Sequence, residues 1–287
     1  MSRIPTESHS GWIMLARSAL FMLGCAVVLA TAAPLAKPPS ALSPEIVVGS
    51  VASVGAFVLT VLFVGWDRTR LEDVGAAPDR RTPLRLGLGF LTGLFLVALS
   101  TALTATVVPT RWTLTSAVGF GASLLQLLGF LALSCREELA FHGYPLRRVS
   151  KVVGLLSGQI IIALAFGLEH RIGGWTWTQA LLGASVGSLA FGMAAIATRG
   201  LAVPIGLHAA WNFGQWVLGQ KAEVGVWQQV TEDSDRSRAA VAGSIGYIAV
   251  MSLATIAFWL WYRAAERARA KPPEIPPQRR HPPTVQG

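Results

Sequence analysis

Five polar side chains lie in or at the ends of long apolar segments of the chain: Glu137, Glu138, His170, His208 and Asn212. Carboxylates and imidazoles are common general acids and bases. A glutamate can activate water, neutral imidazoles can hold a divalent metal or donate hydrogen bonds to an oxyanion, and an asparagine amide is a neutral donor. The set therefore predicts hydrolytic chemistry, provided that the fold brings these side chains together.

The two histidines differ in how strongly they indicate a site. His208 and Asn212 are four residues apart and share one helix face, inside an apolar run with no charged neighbour. Buried polar groups of this kind need partners, and a hydrogen-bonded pair joining two helices is the structural alternative. His170 ends another apolar run, where an interfacial histidine is the alternative. Glu169 and Arg171 beside it are interpreted as boundary charges.

Two adjacent carboxylates, Glu137 and Glu138, follow a third apolar run. Neighbouring helical residues point about 100° apart, so the two carboxylates cannot face the same partner. Glu138 and His142 are four residues apart and share a face. The structural alternative is an interfacial cluster in which the carboxylates pair with Arg136 and Arg147.

The composition indicates a membrane protein. Of the 287 residues, 52% are apolar and 14% charged, whereas soluble domains average about a quarter charged. The net charge of +9 comes from basic residues between apolar runs and near the C-terminus. That pattern is typical of cytoplasmic loops and not of a nucleic-acid partner. Cys25 and Cys135 form no CxxC pair, so we expect neither a disulfide framework nor a thiolate metal site.

Apolar runs long enough to cross a bilayer, about 20 residues each, recur along the chain. The predicted spans are 11–33, 45–65, 84–108, 115–136, 151–170, 176–198, 201–219 and 240–262. They predict an all-α fold, a polytopic membrane bundle of about eight transmembrane helices. The predicted parts are an N-terminal part with helices 1–3 (1–110), a catalytic core with helices 4–7 (111–219), an outer loop with helix 8 (220–262), and a disordered, basic, Pro-rich cytoplasmic tail (263–287).

Most of the 24 Lys and Arg residues fall on one side of this arrangement. The positive-inside rule therefore predicts a multi-pass protein of the cell membrane with both termini cytoplasmic. The Ala- and Arg-rich composition and the lack of glycosylation sequons indicate a bacterial inner membrane. The segment 136–150 is interpreted as a cytoplasmic loop, so a site near it would suit substrates at the inner leaflet.

Three short motifs occur in the order of a known family: a double glutamate, FxxxH and HxxxN. In this chain they are Glu137-Glu138, Phe166-xxx-His170 and His208-xxx-Asn212. On these residues, over about 130–215, the chain resembles the CAAX-protease and bacteriocin-processing (CPBP) intramembrane proteases, also called the type II CAAX prenyl endopeptidase or abortive-infection family. No HExxH or GxSxG motif is present.

The resemblance implies a role for each residue. Glu137 would activate the attacking water, and Glu138 would support it. His170 and His208 would position the water, bind a metal or stabilise the oxyanion, and Asn212 would join the oxyanion donors. Glu137, His170 and His208 would be the ligands of a divalent metal such as Zn. Water activation without a metal fits the same residues equally well.

One position departs from the family pattern. The family has Arg where this chain has His142. An arginine would be permanently charged and could clamp Glu138 through two hydrogen bonds, whereas a histidine forms an ion pair only when protonated. We expect His142 and Phe166 to be supporting residues of the site.

These observations predict an intramembrane endopeptidase that hydrolyses peptide bonds near the bilayer. Its partners would be membrane-associated peptides or proteins and the lipid bilayer. A non-proteolytic immunity or scaffold protein of the same fold is the first alternative, because His142 replaces the family arginine. A proton-coupled small-solute transporter is the second, since buried Glu and His residues can relay protons.

Overall fold

The computed structural model describes residues 7–36, 44–115, 118–221 and 225–270. The α-helices in chain order are α1 (Glu7–Ala32), α2 (Pro44–Trp66), α3 (Thr82–Ala105), α4 (Phe120–Glu137), α5 (Tyr144–Val153), α6 (Leu155–Ile172), α7 (Val186–Ala197), α8 (Ala202–Val217) and α9 (Arg236–Ala270). π-Helical turns occupy Glu138–Gly143 and Gln179–Ser185, and 3-10 turns occupy Ala33–Ala36, Leu71–Val74 and Asp233–Asp235. Two short strands are β1 (Arg111–Leu114) and β2 (Trp227–Val230). The predicted all-α, polytopic fold is confirmed.

A helix lies at each predicted span, but the helices differ in their capacity to cross a bilayer. By length and composition, six segments of the described chain qualify: Gly11–Leu35, Glu45–Trp66, Thr82–Ala105, Leu155–Ile172, Gln179–Ala197 and Asp233–Ala270. Helices α4 and α8, which carry most of the candidate site, are not among them. The 16 residues of α8 extend about 24 Å, less than the roughly 30 Å of a bilayer core. The protein is a multi-pass membrane protein, and the count of eight spans is approximate.

The segment 136–150 is helical, so the prediction of a loop there was wrong. The π-helical turn Glu138–Gly143 continues α4 directly into α5, and α5 ends before Gly154, whose φ of +84° suits glycine. Arg147, Arg148 and Lys151 belong to an amphipathic helix, α5, one face of which is buried and includes Arg148. The double glutamate therefore lies within a helical run and not at its exposed end.

Close contact between backbones places α8 against α3. Gly89 and Gly93 of α3 face the carbonyl groups of Val203 and Leu207, and Gly206 of α8 faces the backbone of α3. A Cβ atom at any of these glycines would collide with that backbone. Small residues at a helix interface allow this approach, which lets dispersion and backbone contacts hold membrane helices together. The packing sets the depth of the histidine that follows Leu207.

A two-stranded antiparallel sheet joins the α3–α4 and α8–α9 connections. Arg111 pairs with Val230, and Leu114 pairs with Trp227. Both connections therefore lie at the same end of the bundle, as the predicted topology requires.

Helix α9 continues past the predicted span end at 262 to Ala270. The rest of the predicted tail, 271–287, lies outside the described residues. The bounds of the four predicted parts stay predictions.

A buried carboxylate ties α1, α2 and α5 together at the other end of the bundle. Asp67, which follows α2, accepts hydrogen bonds from the Tyr144 hydroxyl and from Arg148 Nη2, each at 2.8 Å. Arg17 of α1 completes the ion pair. Arg148 also donates to the Thr69 hydroxyl at 2.8 Å. This cluster holds the beginning of α5 independently of the double glutamate.

The α3–α8 contact predicts different effects for two glycines two positions apart on α3. Gly89→Ala should lower the free energy of unfolding in detergent micelles by about 1–3 kcal/mol, because the added methyl group meets the Val203 backbone. Gly87→Ala is the matched control, since nothing lies within 4 Å of its Cβ position. We expect it to be neutral or slightly stabilising. Equal effects of the two substitutions would contradict this packing.

Candidate active site

Glu138 is fully buried and accepts hydrogen bonds from two imidazoles. Its Oε2 lies 2.7 Å from His142 Nδ1, and its Oε1 lies 2.9 Å from His208 Nδ1. Both carboxylate oxygens are thereby satisfied, as a buried charged group requires. Because His208 is on α8, Glu138 connects the α4–α5 helical run to that helix.

His142 continues this contact as a chain of hydrogen bonds. Its Nε2 lies 2.9 Å from the hydroxyl oxygen of Ser188 on α7. A neutral imidazole that donates from Nδ1 can accept from the Ser188 hydroxyl at Nε2. The position where the family has arginine is thus filled by a histidine that contacts Glu138 and is itself supported by a serine. The chemical role of His142 stays a prediction.

Glu137 faces a different environment from its neighbour. Its side chain is 16% exposed, and its Oε2 lies 3.4 Å from His208 Nε2. One imidazole therefore lies between the two carboxylates, with Nδ1 toward Glu138 and Nε2 toward Glu137. The expectation that the two carboxylates cannot face the same partner was wrong, because the ring presents a different nitrogen to each. Phe191 of α7 stacks on the same ring, with centroids 4.2 Å apart and planes at 15°. These contacts leave His208 little freedom to rotate.

Arg136 pairs chiefly with Glu169, which corrects the interpretation of Glu169 as a boundary charge. Arg136 is buried, and its Nη1 lies 2.5 Å from Glu169 Oε1 on α6 and 3.7 Å from Glu137 Oε1. In the predicted topology the fifth span starts next to the cytoplasmic segment 136–150, so His170 at its far end would lie at the outer face, away from the glutamates. The ion pair instead brings the ends of α4 and α6 to the same level.

His170 is held by its own helix and by two aromatic rings. Its Nδ1 lies 3.0 Å from the Phe166 carbonyl oxygen, to which it donates. Its ring centroid lies 4.5 Å from that of Phe166 and 4.7 Å from that of Trp175. The donation from Nδ1 makes Nε2 the free lone-pair nitrogen of a neutral ring. The Phe166 ring also packs near the His142 and His208 rings, with ring centroids 6.0 and 6.2 Å away.

Asn212 is paired with a residue that the motifs do not include. Its Oδ1 accepts a hydrogen bond from Lys221 Nζ at 2.5 Å, and that ammonium lies 5.4 Å from the Phe130 ring centroid. Desolvation lowers the pKa of Lys221, and the negative charges of Glu137 and Glu45 oppose this. No spacing rule indicated Lys221 or Ser188, because neither lies on the motif faces of the predicted helices.

Several of the site residues line one cavity of about 1150 Å³. Its polar lining includes Glu137, His170, His208, Asn212 and Lys221. Residues 228–231, in and just after β2, line it too, so the cavity reaches the end of the bundle where the sheet lies. Of the predicted site residues, Glu138 and His142 lie behind this wall, fully buried.

The predicted metal ligands contact carboxylates and backbone in this structure. Within the described ranges, no group of three or more His, Cys, Asp or Glu side chains is arranged to hold a metal ion. His208 directs both ring nitrogens at carboxylates, and His170 Nδ1 donates to the backbone. Glu137, His170 and His208 as ligands of a divalent metal therefore stay a prediction, as does water activation without a metal.

Comparison with known proteins adds to this geometry. Residues 119–214 match the family model described as Rce1-like, type II CAAX prenyl endopeptidase Rce1-like. This region of the chain is similar to that family. The matched region runs from the start of α4 into α8, contains all three motifs, and confirms the family that they predict. The match supports a CAAX-type intramembrane protease at the level of the family. The search of curated proteins found no match.

The contact between Glu138 and His142 can be tested with a double-mutant cycle in the Rce1-like region. Glu138→Gln and His142→Ala should show a coupling free energy of unfolding of about 1–3 kcal/mol, because each removes a partner of the same buried hydrogen bond. Glu138→Gln with His170→Ala is the control cycle, since no hydrogen bond joins those two side chains in the described structure. Additive effects in the first cycle would rule out the contact.

Proposed function

We propose that the protein is an intramembrane endopeptidase in which Glu137 activates the attacking water. The observation that supports this most directly is the unequal exposure of two adjacent carboxylates. Glu137 lines the cavity, whereas Glu138 is sealed behind it. A general base must come within hydrogen-bond reach of the water that it deprotonates. Only Glu137 of the pair meets that condition.

The proposed reaction needs no co-reactant besides water. Glu137 accepts a proton from a water molecule as the water oxygen bonds to the peptide carbonyl carbon, and the carbonyl π electrons move to its oxygen. The tetrahedral intermediate collapses when the carbon–nitrogen bond breaks. The proton held by Glu137 then passes to the leaving amine, so the base is restored.

His208 would stabilise the charges that develop beside Glu137. Its Nδ1 donates to Glu138, and its Nε2 faces Glu137 and the cavity. In its imidazolium form the ring donates from Nε2, while the buried carboxylate behind it balances the positive charge. A carboxylate that holds and balances a catalytic imidazole is a recurrent arrangement in hydrolases. Glu138 is thus a positioning residue in this proposal.

Asn212, Lys221 and His170 would supply the remaining electrostatic support. Lys221 occupies the carbonyl oxygen of the Asn212 amide, so the amide N–H groups are left to donate into the cavity. The Lys221 ammonium adds a positive charge to the same wall. Preorganised donors such as the Asn212 amide and Lys221 stabilise an oxyanion because they need little reorganisation during the reaction. His170 presents Nε2, a hydrogen-bond acceptor that would position the attacking water.

The substrate in this proposal is a membrane-associated peptide or protein segment that enters the cavity. The proposed location is a bacterial inner membrane, which the Ala- and Arg-rich composition favours. Both termini would be cytoplasmic, as the distribution of basic residues indicates. That orientation puts the sheet end of the bundle outside. Substrate entry from the inner leaflet was expected because 136–150 was interpreted as a cytoplasmic loop. Since this segment is helical, that reason for entry from the inner leaflet no longer holds.

The role of Glu137 can be tested with purified protein in liposomes and a library of membrane peptides. Glu137→Gln should lower the cleavage rate by about 10²–10⁴-fold without unfolding the protein, because it removes the base but keeps the shape. Glu45→Gln is the matched control, a second carboxylate of the cavity wall, and should retain activity. A chelator in a parallel sample reports whether a metal takes part. Wild-type rates in folded Glu137→Gln would contradict the proposal and favour a non-proteolytic scaffold.

The oxyanion role of Asn212 makes a separate prediction. Asn212→Ala should lower kcat by about 10²–10³-fold with a much smaller change in KM, because the donor acts mainly in the transition state. Gln215→Ala is the control, since Gln215 lines the same cavity from the same helix. A rise in KM at unchanged kcat would indicate that Asn212 only binds substrate.

A further inference from the structure

Arg147 bridges three backbone carbonyl groups next to the buried part of the site. Its Nη1 lies 2.5 Å from the His142 carbonyl oxygen and 3.3 Å from that of Gly143. Its Nη2 lies 3.2 Å from the carbonyl oxygen of Ala195 on α7. One guanidinium thus joins the end of the π-helical turn to the helix that carries Ser188.

The backbone between the π-helical turn and α5 explains why these carbonyls need a donor. Gly143 has φ −81° and ψ −110°, which is outside helical geometry. Carbonyl groups at such a junction lose their usual helical partners, and an unpaired buried carbonyl is costly. The Arg147 side chain, about one turn further on, supplies the missing donors.

The charge of Arg147 is balanced by helix ends and not by a carboxylate. No ion pair of Arg147 occurs among the residues that the structure describes. Both the π-helical turn and α7 direct carbonyl groups near their C-terminal ends at it, and these ends carry partial negative charge. Burial lowers the pKa of Arg147 to about 10. The guanidinium therefore stays charged at neutral pH.

We infer that Arg147 is a positioning residue of the active site, which holds the π-helical turn against α7 so that His142 reaches both Glu138 and Ser188. The turn contains Glu138 and His142, and Ala195 lies two turns along α7 from Ser188. If the guanidinium is lost, the turn can move away from α7. The hydrogen bonds at 2.7 and 2.9 Å on either side of the His142 ring would then lengthen together. Glu138 would hold His208 less firmly.

The test compares two neighbouring arginines in the full-length protein, with amide hydrogen exchange as the first measurement. Arg147→Met should speed exchange at 138–143 by about tenfold or more while α2 and α9 keep wild-type rates, because only the junction opens. Arg147→Lys should restore part of the protection. Arg148→Met is the matched control, since Arg148 binds Asp67 and Thr69 and none of these carbonyls. It should lower global stability but leave exchange at 138–143 unchanged under folding conditions.

Kinetics is the second measurement, and only this one rests on the proposed function. Arg147→Met should lower kcat by about 10²-fold at nearly constant KM, because the catalytic groups would be displaced from their productive positions. Arg147→Lys should recover part of this loss, and Arg148→Met should keep the wild-type kcat. Wild-type protection of 138–143 in Arg147→Met would overturn the inference, as would equal effects of Arg147→Met and Arg148→Met. If wild-type protein cleaves no peptide, the proposed function fails, and hydrogen exchange alone decides the role of Arg147.

Discussion

The arrangement of the site depends on one carboxylate that water does not reach. An ionised carboxylate inside a protein costs several kcal/mol unless hydrogen bonds replace its hydration. Glu138 receives these bonds from imidazoles on two different elements, the π-helical turn and α8. The fold must therefore bring His142 and His208 to the same point, and the orientation of His208 toward Glu137 follows. Breaking either contact would leave a buried charge with half of its partners.

The helices around this carboxylate are built differently from those at the lipid face. Helices α4 and α8, which supply most of the site residues, are too polar or too short to qualify as membrane spans. Six other segments of the described chain are long and apolar enough to do so. Polar side chains are tolerated at this depth because protein and a cavity, not lipid, surround them. Glycines at the α3–α8 contact bring the backbones together, and Arg136 with Glu169 aligns α4 with α6.

Sequence patterns predicted the helices well and the segment beside the site poorly. Apolar runs located a helix at every predicted span because a bilayer requires about 20 apolar residues per crossing. The basic residues near 147–151 suggested a loop, since an amphipathic helix of about ten residues has too few turns to display its period clearly. Glu169 suggested a boundary charge because its partner, Arg136, is 33 residues away.

The sequence by itself determined the fold class, the family resemblance and the residues of the three motifs, because residue types and short spacings carry that information. The tertiary structure alone decided that Glu137 faces the cavity while Glu138 is sealed behind it, since neighbouring positions look alike in sequence. It also brought in Ser188, Lys221 and Arg147, whose partners lie on other elements. Contacts between distant segments depend on how helices pack, and no local pattern encodes them.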